Sequence, residues 1–106
     1  NLINNALDSV KTSDKKEIRV DIRPEGKFVE LTIADSGSGI APENLEKIFD
    51  PFFTTKPVGK GTGLGLSICH SIVESHGGNI TCESHIGKGT KIRVLLPMEK
   101  RQEGIK

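Results

Sequence analysis

The stretch from Ile18 to Asp35, IRVDIRPEGKFVELTIAD, decides the fold because it predicts a complete β-hairpin. Apolar and polar side chains alternate on both sides of a turn, which is the period of two expected for strands with one buried face. The apolar positions are Ile18, Val20, Ile22, Val29, Leu31 and Ile33. Between the two runs, Pro24-Glu25-Gly26-Lys27 supplies residue types that a turn favours. We therefore expect two neighbouring antiparallel strands.

A second hairpin and three helices are predicted around the first hairpin. Alternating apolar residues predict two more strands, separated by a turn at residues 85–89: Ile80 and Cys82, then Ile92, Val94 and Leu96. Apolar residues at helical spacing predict helices over residues 1–11, from Ala41 to Phe49, and from about Gly63 to the stop at Gly77-Gly78. This order predicts an α+β fold, a two-layer α/β sandwich whose mixed, mostly antiparallel sheet is covered on one face by helices. The other sheet face is expected to be partly solvated.

The composition fits one domain and excludes several classes of partner. The chain has 106 residues, of which 1–98 are expected to form the domain and 99–106 a polar tail. Fifteen Lys and Arg against fourteen Asp and Glu give a net charge of +1. Because no basic field covers the chain as a whole, nucleic acid and anionic lipid are not expected as partners.

Cysteine usage indicates a reducing compartment. Cys69 and Cys82 stand singly in apolar surroundings without CxxC spacing, which argues against a disulfide framework and a zinc knuckle. No apolar run reaches membrane-spanning length, and no charged-then-apolar leader is present. We therefore expect a cytoplasmic domain that makes no direct membrane contact. Because helical sequence begins at Asn1 without a preceding cap, we also expect it to be an N-terminally truncated piece of a longer protein.

Four of the twelve glycines precede the second long helix, at Gly59, Gly61, Gly63 and Gly65. Glycines let backbone N–H groups approach a ligand, and a helix N-terminus favours anions, so a phosphate chain is one candidate occupant. A Walker loop is excluded because no GK[ST] ending follows, and a dinucleotide fingerprint because leucines occupy its third glycine position. A flexible surface loop is the alternative, and the glycines alone do not decide between the two.

A carboxylate and two glycines stand where the second strand ends, in Asp35-Ser36-Gly37-Ser38-Gly39. A carboxylate held there can accept a hydrogen bond from an exocyclic amine, while the glycines admit a flat base against the backbone. The alternative is an Asx-type turn in which Asp35 only caps its own chain.

Two further features carry chemistry only in combination with the others. Asn1 and Asn5 share a helix face, and an amide oxygen is a hard, neutral ligand suited to magnesium, although a solvated helix face is the alternative. Three of the four phenylalanines fall within residues 49–53, before an irregular loop. They are expected to be core residues that anchor a lid, with Lys56 and Lys60 offering charge to phosphates.

Taken together, these motifs resemble the ATP-binding catalytic domain of two-component sensor histidine kinases. That domain belongs to the superfamily shared with gyrase, heat-shock chaperone ATPases and mismatch-repair ATPases. Residues 1–6 (NLINNA) resemble its asparagine box, 35–39 (DSGSG) its DxGxG box, 48–53 (IFDPFF) its phenylalanine box, and 61–67 (GTGLGLS) its second glycine box. The boxes follow the family's order over nearly the whole chain, and the GTGLGLS form is similar to the two-component branch.

The resemblance implies a role for each matching position. Asn5 would ligate Mg²⁺, Asn1 would help to hold the triphosphate, Asp35 would bind the adenine amino group, and Gly37 and Gly39 would line the base pocket. A lid would extend from Phe52 to Gly63, with Lys56 near the γ-phosphate, amides around Gly63 to Leu66 would contact phosphates, and Thr90 would offer a hydroxyl near the base. The full implied ATP-binding set is Asn1, Asn5, Asp35, Gly37, Gly39, Ile40, Phe52, Lys56, Gly61, Thr62, Gly63, Leu64, Gly65, Leu66 and Thr90.

The implied activity is protein-histidine kinase activity that presents the γ-phosphoryl group of Mg-ATP to a histidine outside this chain. In the family this histidine lies on a dimerisation domain of the same parent protein, and a response regulator receiver domain is the next acceptor. His70, His76 and His85 match no phosphorylation motif, and no catalytic residue is assigned within the chain. The alternatives are a nucleotide-sensing or scaffolding module without catalysis, and a serine kinase or ATPase of the same superfamily.

Overall fold

The computed structural model describes residues 1–11, 13–53 and 65–98 of the chain. The helices within these ranges are α1 (Leu2–Val10), α2 (Pro42–Leu45) and α3 (Gly65–Ser75). The strands are β1 (Ile18–Glu25), β2 (Phe28–Asp35), β3 (Asn79–His85) and β4 (Gly89–Pro97). The predicted order of helices and hairpins is confirmed, while the irregular loop between α2 and α3 lies largely outside the described residues.

The four strands form one sheet in the order β1-β2-β4-β3. The two hairpins join through β2 and β4, where Leu31 lies opposite Val94 and Ile33 lies opposite Ile92. The α+β class is confirmed with one correction, because every pairing among these four strands is antiparallel rather than mixed. Tight turns join each hairpin, which forces antiparallel pairing within it, and the central β2–β4 pair has the same sense.

The core lies between one sheet face and the helices. A buried cluster joins α3 to the second hairpin through Val73, Ile80, Ile92 and Val94. Half-buried apolar side chains extend this cluster: Leu2, Leu31, Phe49, Leu66, Cys69, Cys82 and Leu96. The alternating residues predicted to face inward on β3 and β4 therefore do so, and α1 and α3 cover them as expected for a two-layer fold.

Two element boundaries differ from the sequence expectation. The first turn is only Gly26-Lys27, and Pro24 lies within β1, where an edge strand tolerates a residue without an N–H donor. The helix expected from Ala41 to Phe49 ends at Leu45. Beyond it, the N–H groups of Lys47 and Asp50 donate to carbonyls three residues earlier, so the chain continues as tight turns.

The sheet face opposite the helices carries charged side chains, as expected, but one of them is buried. Glu30 is 4% exposed because two guanidinium groups cover it. Nε of Arg93 donates to its Oε2, and Nε of Arg23 donates to its Oε1 at 2.9 Å. The hydrogen bond from Arg93, with that from Arg23, holds the pKa of Glu30 below its usual value.

Helices α1, α2 and α3 are all too short or too polar to span a lipid bilayer, and no other helix lies within the described ranges.

Candidate functional site

The candidate site begins where the two central strands meet at one end of the sheet. Asp35 is the last residue of β2, and it lies opposite Thr90 at the start of β4. Because residues 31, 33 and 35 alternate onto the same sheet face, Asp35 shares the face that α1 and α3 cover. The carboxylate and the hydroxyl predicted from two distant motifs are thus neighbours.

One oxygen of the Asp35 carboxylate is fixed by two donors. The hydroxyl of Ser9, on α1, donates to Oδ1 at 3.0 Å, and the backbone N–H of Gly37 donates to the same oxygen at 2.9 Å. Within the residues that the structure describes, both donors to the carboxylate reach Oδ1 and none reaches Oδ2. The Asx-type turn considered as an alternative is therefore present on Oδ1, and it leaves Oδ2 as an acceptor for a ligand.

The loop that follows Asp35 is braced from two sides. Ser36 donates its hydroxyl to the carbonyl of Lys15 at 2.7 Å, and its backbone N–H to that of Glu17 at 3.0 Å. On the other side, the N–H of Gly87 donates to the carbonyl of Ser38 at 2.8 Å. These bonds hold the loop between the segment that joins α1 to β1 and the β3–β4 turn.

Gly37 and Gly39 are required by this close packing. A side chain at Gly37 would run into the hydroxyl and carbonyl of Ser9, and one at Gly39 would run into the carbonyl of His85. Gly39 also has a φ of +81°, a conformation that favours glycine. The space freed by both glycines is thus filled by protein atoms, while their predicted role in lining a base pocket stays a prediction.

A buried pair of hydroxyls lies beside Asp35. The Oγ atoms of Ser84 and Thr90 are 2.9 Å apart, and the two residues are 8% and 9% exposed. Ser84 also accepts a hydrogen bond from the N–H of Ile40 at 2.7 Å. Ile40 and Thr90, both predicted site residues, are therefore joined through a serine that the sequence analysis did not select.

Cys82 lies two residues before Ser84 on β3 and has an unreactive thiol. Burial first, and then the negative charges of Asp35 and Glu83, raise the pKa of its thiol to about 11. Because the thiolate is the reactive form, the thiol of Cys82 is not a nucleophile at neutral pH.

The other end of the site lies at the start of α3. The side chain of Asn1 lies against Gly65, with Cγ 3.6 Å from the position that a side-chain carbon of Gly65 would take. Leu66 lies in the first turn of α3 and packs its side chain against the core. The first N–H groups of a helix have no partner within it and favour anions, so this end suits a phosphate group.

Other predicted site residues are not brought into the site or are not described. Phe52 was expected to belong to the core, but it is 73% exposed, with a φ of 69°. Of its neighbours, Phe49 does pack against the core, with its ring centroid 5.3 Å from that of His70. Outside the described residues lie Lys56, Gly61, Thr62, Gly63 and Leu64, together with the rest of the predicted lid up to residue 64.

Sequence reasoning missed Ser9 and Ser84, although each carried a signal. Ser9 follows Asn1 and Asn5 at the same spacing of four, which places it on the same helix face. Ser84 continues the inward alternation of Ile80 and Cys82, so a hydroxyl at that position has to be buried and bonded.

Comparison with known protein families identifies one matching model. The model for the family described as histidine kinase-, DNA gyrase B- and HSP90-like ATPase matches residues 1–100.

Curated relatives of the chain include sensor kinases. It is 45% identical over 98 residues to the sensor kinase CckA of Brucella abortus (strain 2308). The aligned region covers 90% of this chain and 10% of that protein. It is 44% identical over 98 residues to the sensor histidine kinase ZraS of Escherichia coli O157:H7. This alignment covers 92% of this chain and 20% of that protein. The chain thus spans only a small part of the length of these relatives.

Solved structures with the same fold include histidine kinase domains. The catalytic domain of histidine kinase ThkA, in a nucleotide-free form, superposes with a TM-score of 0.76 at 39% identity, over 92% of this chain and 61% of that one. Full-length ShkA in complex with AMPPNP superposes with a TM-score of 0.75 at 28% identity, over 91% of this chain and 20% of that one.

Proposed function

The chain belongs to the family of histidine kinase-, DNA gyrase B- and HSP90-like ATPases, and from this premise we propose that it is the cytoplasmic, ATP-binding catalytic domain of a sensor histidine kinase. It binds ATP with magnesium and presents the γ-phosphoryl group to a histidine on a dimerisation domain of the parent protein. That phosphoryl group then passes to the receiver domain of a response regulator.

The observation that supports the proposal most directly is that one face of α1 contacts both ends of the candidate site. Asn1, Asn5 and Ser9 are spaced by four residues on one face, with Asn1 against Gly65 and Ser9 bonded to Asp35. At a rise of 1.5 Å per residue, the helix separates its two end positions by about 12 Å. A ligand along this face would meet a carboxylate acceptor at one end and helix N–H donors at the other, which is the polarity of a purine nucleotide with its phosphate tail.

The residues present fit a magnesium ion that is carried mainly by the nucleotide. The described ranges contain no group of three His, Cys, Asp or Glu side chains that could hold a metal ion by themselves. Mg²⁺ usually keeps waters and substrate phosphates as ligands and needs few protein ligands. Asn5, on the site face of α1, would hold the ion through its amide oxygen. The ion would supply neutralisation of phosphate charge.

Within the mechanism, the chain positions the nucleotide and leaves the acceptor to a partner. Oδ2 of Asp35 accepts a hydrogen bond from the exocyclic amine, Thr90 offers its hydroxyl beside the base, and the first N–H groups of α3 contact phosphate oxygens. Phosphoryl transfer depends mostly on such positioning and on charge stabilisation. Nδ1 of His70 lies 3.5 Å from a carboxylate oxygen of Glu74, and Nδ1 of His76 lies 2.8 Å from the carbonyl oxygen of Ile72. Neither histidine matches a phosphorylation motif, so neither is offered as the acceptor.

Calorimetric titration tests the nucleotide site. ATP and GTP are titrated with and without Mg²⁺ into the wild-type chain and into Asp35→Ala. We expect ATP to be preferred, magnesium to change its affinity, and the substitution to weaken ATP binding. Equal affinities for ATP and GTP would remove Asp35 from the assigned role.

A phosphotransfer assay separates the kinase from its alternatives. The chain is mixed with a histidine-bearing dimerisation domain and γ-labelled ATP, with Asn5→Ala as the inactive control. Label on the histidine supports the kinase, and loss of label in the control ties the transfer to this chain. Tight ATP binding without transfer would favour a nucleotide-sensing or scaffolding module, and label on serine would favour a serine kinase of the same superfamily.

A further inference from the structure

We propose that Ser9 is the positioning residue that sets base selectivity, because its hydroxyl fixes the orientation in which the carboxylate of Asp35 faces the purine. This inference rests on the proposed function, since it requires Asp35 to contact the base. It adds a residue outside the asparagine, DxGxG, phenylalanine and glycine boxes to the site.

The geometry gives Ser9 a specific task. A carboxylate turns easily about its last side-chain bond, because that torsion is broad and nearly two-fold. The N–H of Gly37 holds Oδ1 from the same loop, two residues away, whereas the hydroxyl of Ser9 holds it from α1, 26 residues away in sequence. Two donors from different elements fix the carboxylate plane, which one donor alone would leave able to rotate.

Ser9 is also placed so that its role can be separated from packing. The missing side chain of Gly37 leaves room that the hydroxyl and carbonyl of Ser9 fill. Replacing the hydroxyl by hydrogen in Ser9→Ala removes the donor and keeps the helix backbone and Cβ in place. Ala is also the best helix former, so α1 itself is not weakened by the change.

The consequence for the ligand follows from donor and acceptor matching. With two donors on Oδ1, the lone pairs directed at the base belong to Oδ2 and require a donor, such as the 6-amino group of adenine. A 6-carbonyl group, as in hypoxanthine, places an acceptor against that acceptor and is rejected. When the carboxylate can rotate, this rejection weakens because the plane is no longer aimed at position 6.

The test compares the affinities of ATP and inosine triphosphate, which differ at this edge of the base. Calorimetry is performed on the wild-type chain, Ser9→Ala and Ser9→Thr. We expect Ser9→Ala to lower the ATP-to-ITP affinity ratio by about threefold to tenfold, the effect of one hydrogen bond to a charged group that is partly replaced by water. Ser9→Thr keeps the hydroxyl and is expected to restore the ratio.

Ser13→Ala is the matched control. Ser13 lies just after α1 and, like Ser9, donates its hydroxyl across to this part of the chain, at 3.0 Å, but its acceptor is the backbone carbonyl of Ser36 rather than the carboxylate of Asp35. Loss of this bond is expected to lower the thermal unfolding midpoint without changing the ATP-to-ITP ratio. A loosened loop would change both variants alike, so the ratio distinguishes positioning from general destabilisation.

Ser9→Cys provides a second variant in case Ser9→Ala does not fold. It keeps a single γ atom with a hydrogen to donate and replaces a strong donor by a weak one, so its ratio should lie between those of wild type and Ser9→Ala. An unchanged ratio in either folded variant, while Asp35→Asn does change it, would overturn the role of Ser9 alone. An unchanged ratio in Asp35→Asn as well would overturn the base contact of Asp35 and thus the proposed function.

Discussion

Asp35→Asn is expected to reverse the preference of the site between a 6-amino and a 6-carbonyl purine. An asparagine amide has one acceptor oxygen and one donor NH₂ group, and its orientation is set by its neighbours. The donors from Ser9 and Gly37 both converge on Oδ1. The amide oxygen must therefore take the Oδ1 position, and the NH₂ group must take the Oδ2 position that faces the base.

The magnitude follows from the bonds exchanged at Oδ2. ATP loses a hydrogen bond to a charged acceptor, which is worth about 1.5–3 kcal/mol, or about 10- to 150-fold in Kd. ITP gains a neutral hydrogen bond to its 6-carbonyl, worth about 0.5–1.5 kcal/mol, or about 2- to 10-fold. The ATP-to-ITP ratio is thus expected to fall by about 20-fold or more.

Competition calorimetry with both nucleotides measures this ratio directly. Asp14→Asn is the control, because Asp14 is exposed and the change removes the same charge away from the site. Circular dichroism confirms that each variant is folded. If Asp35→Asn binds both nucleotides more weakly by the same factor, the amide is not oriented by Ser9 and Gly37, and the reasoning fails.

The core, the charged sheet face and the loop each give a further expected outcome. Ile92→Ala is expected to lower the free energy of unfolding in urea by about 2–5 kcal/mol because Ile92 is buried in the central cluster, whereas Ile86→Ala, at an exposed position, should change it by less than about 0.5 kcal/mol. Since Arg93 and Arg23 lower the pKa of Glu30 in the folded state, its charge stabilises the fold above the ordinary carboxyl pKa, and that stability is lost as pH falls through the lowered value. Urea midpoints measured from pH 7 to pH 3 should therefore vary less in Glu30→Gln than in the wild-type chain, and an equal slope would contradict the ion pairing. Gly39→Ala is expected to lower the thermal midpoint more than Gly87→Ala, because both glycines have φ near +80° but only Gly39 faces a backbone carbonyl; equal midpoints would show that the loop yields.

Much of the fold follows from local sequence pattern. Alternation of apolar and polar residues predicted both hairpins, and the structure confirms them because an alternating strand can bury only one face. The ends of α2 and of the first turn were less predictable. Pro24 resembles a turn residue, and only the edge position of β1 makes it acceptable within a strand.

The candidate site was predicted in its residue types but not in its connections. Asp35 and Thr90 were both selected from the sequence, and their pairing across β2 and β4 brings them together. Phe52 was assigned to the core because aromatic residues usually are, yet it lies at the surface. Ser84 was not selected from the sequence, because a single serine in an alternating strand does not reveal its hydrogen-bond partners.

The sequence by itself determined the hairpins, the helices and the identity of the motif residues, because these depend on neighbours within a few positions along the chain. Only the tertiary structure decided how the carboxylate of Asp35 is oriented toward a ligand, because one of the two donors that fix it, Ser9, lies 26 residues away. It also decided that Ile40 is held by Ser84 across 44 residues. Contacts of this kind depend on how helices and strands pack against one another, and the periodicity of a single helix or strand does not predict them.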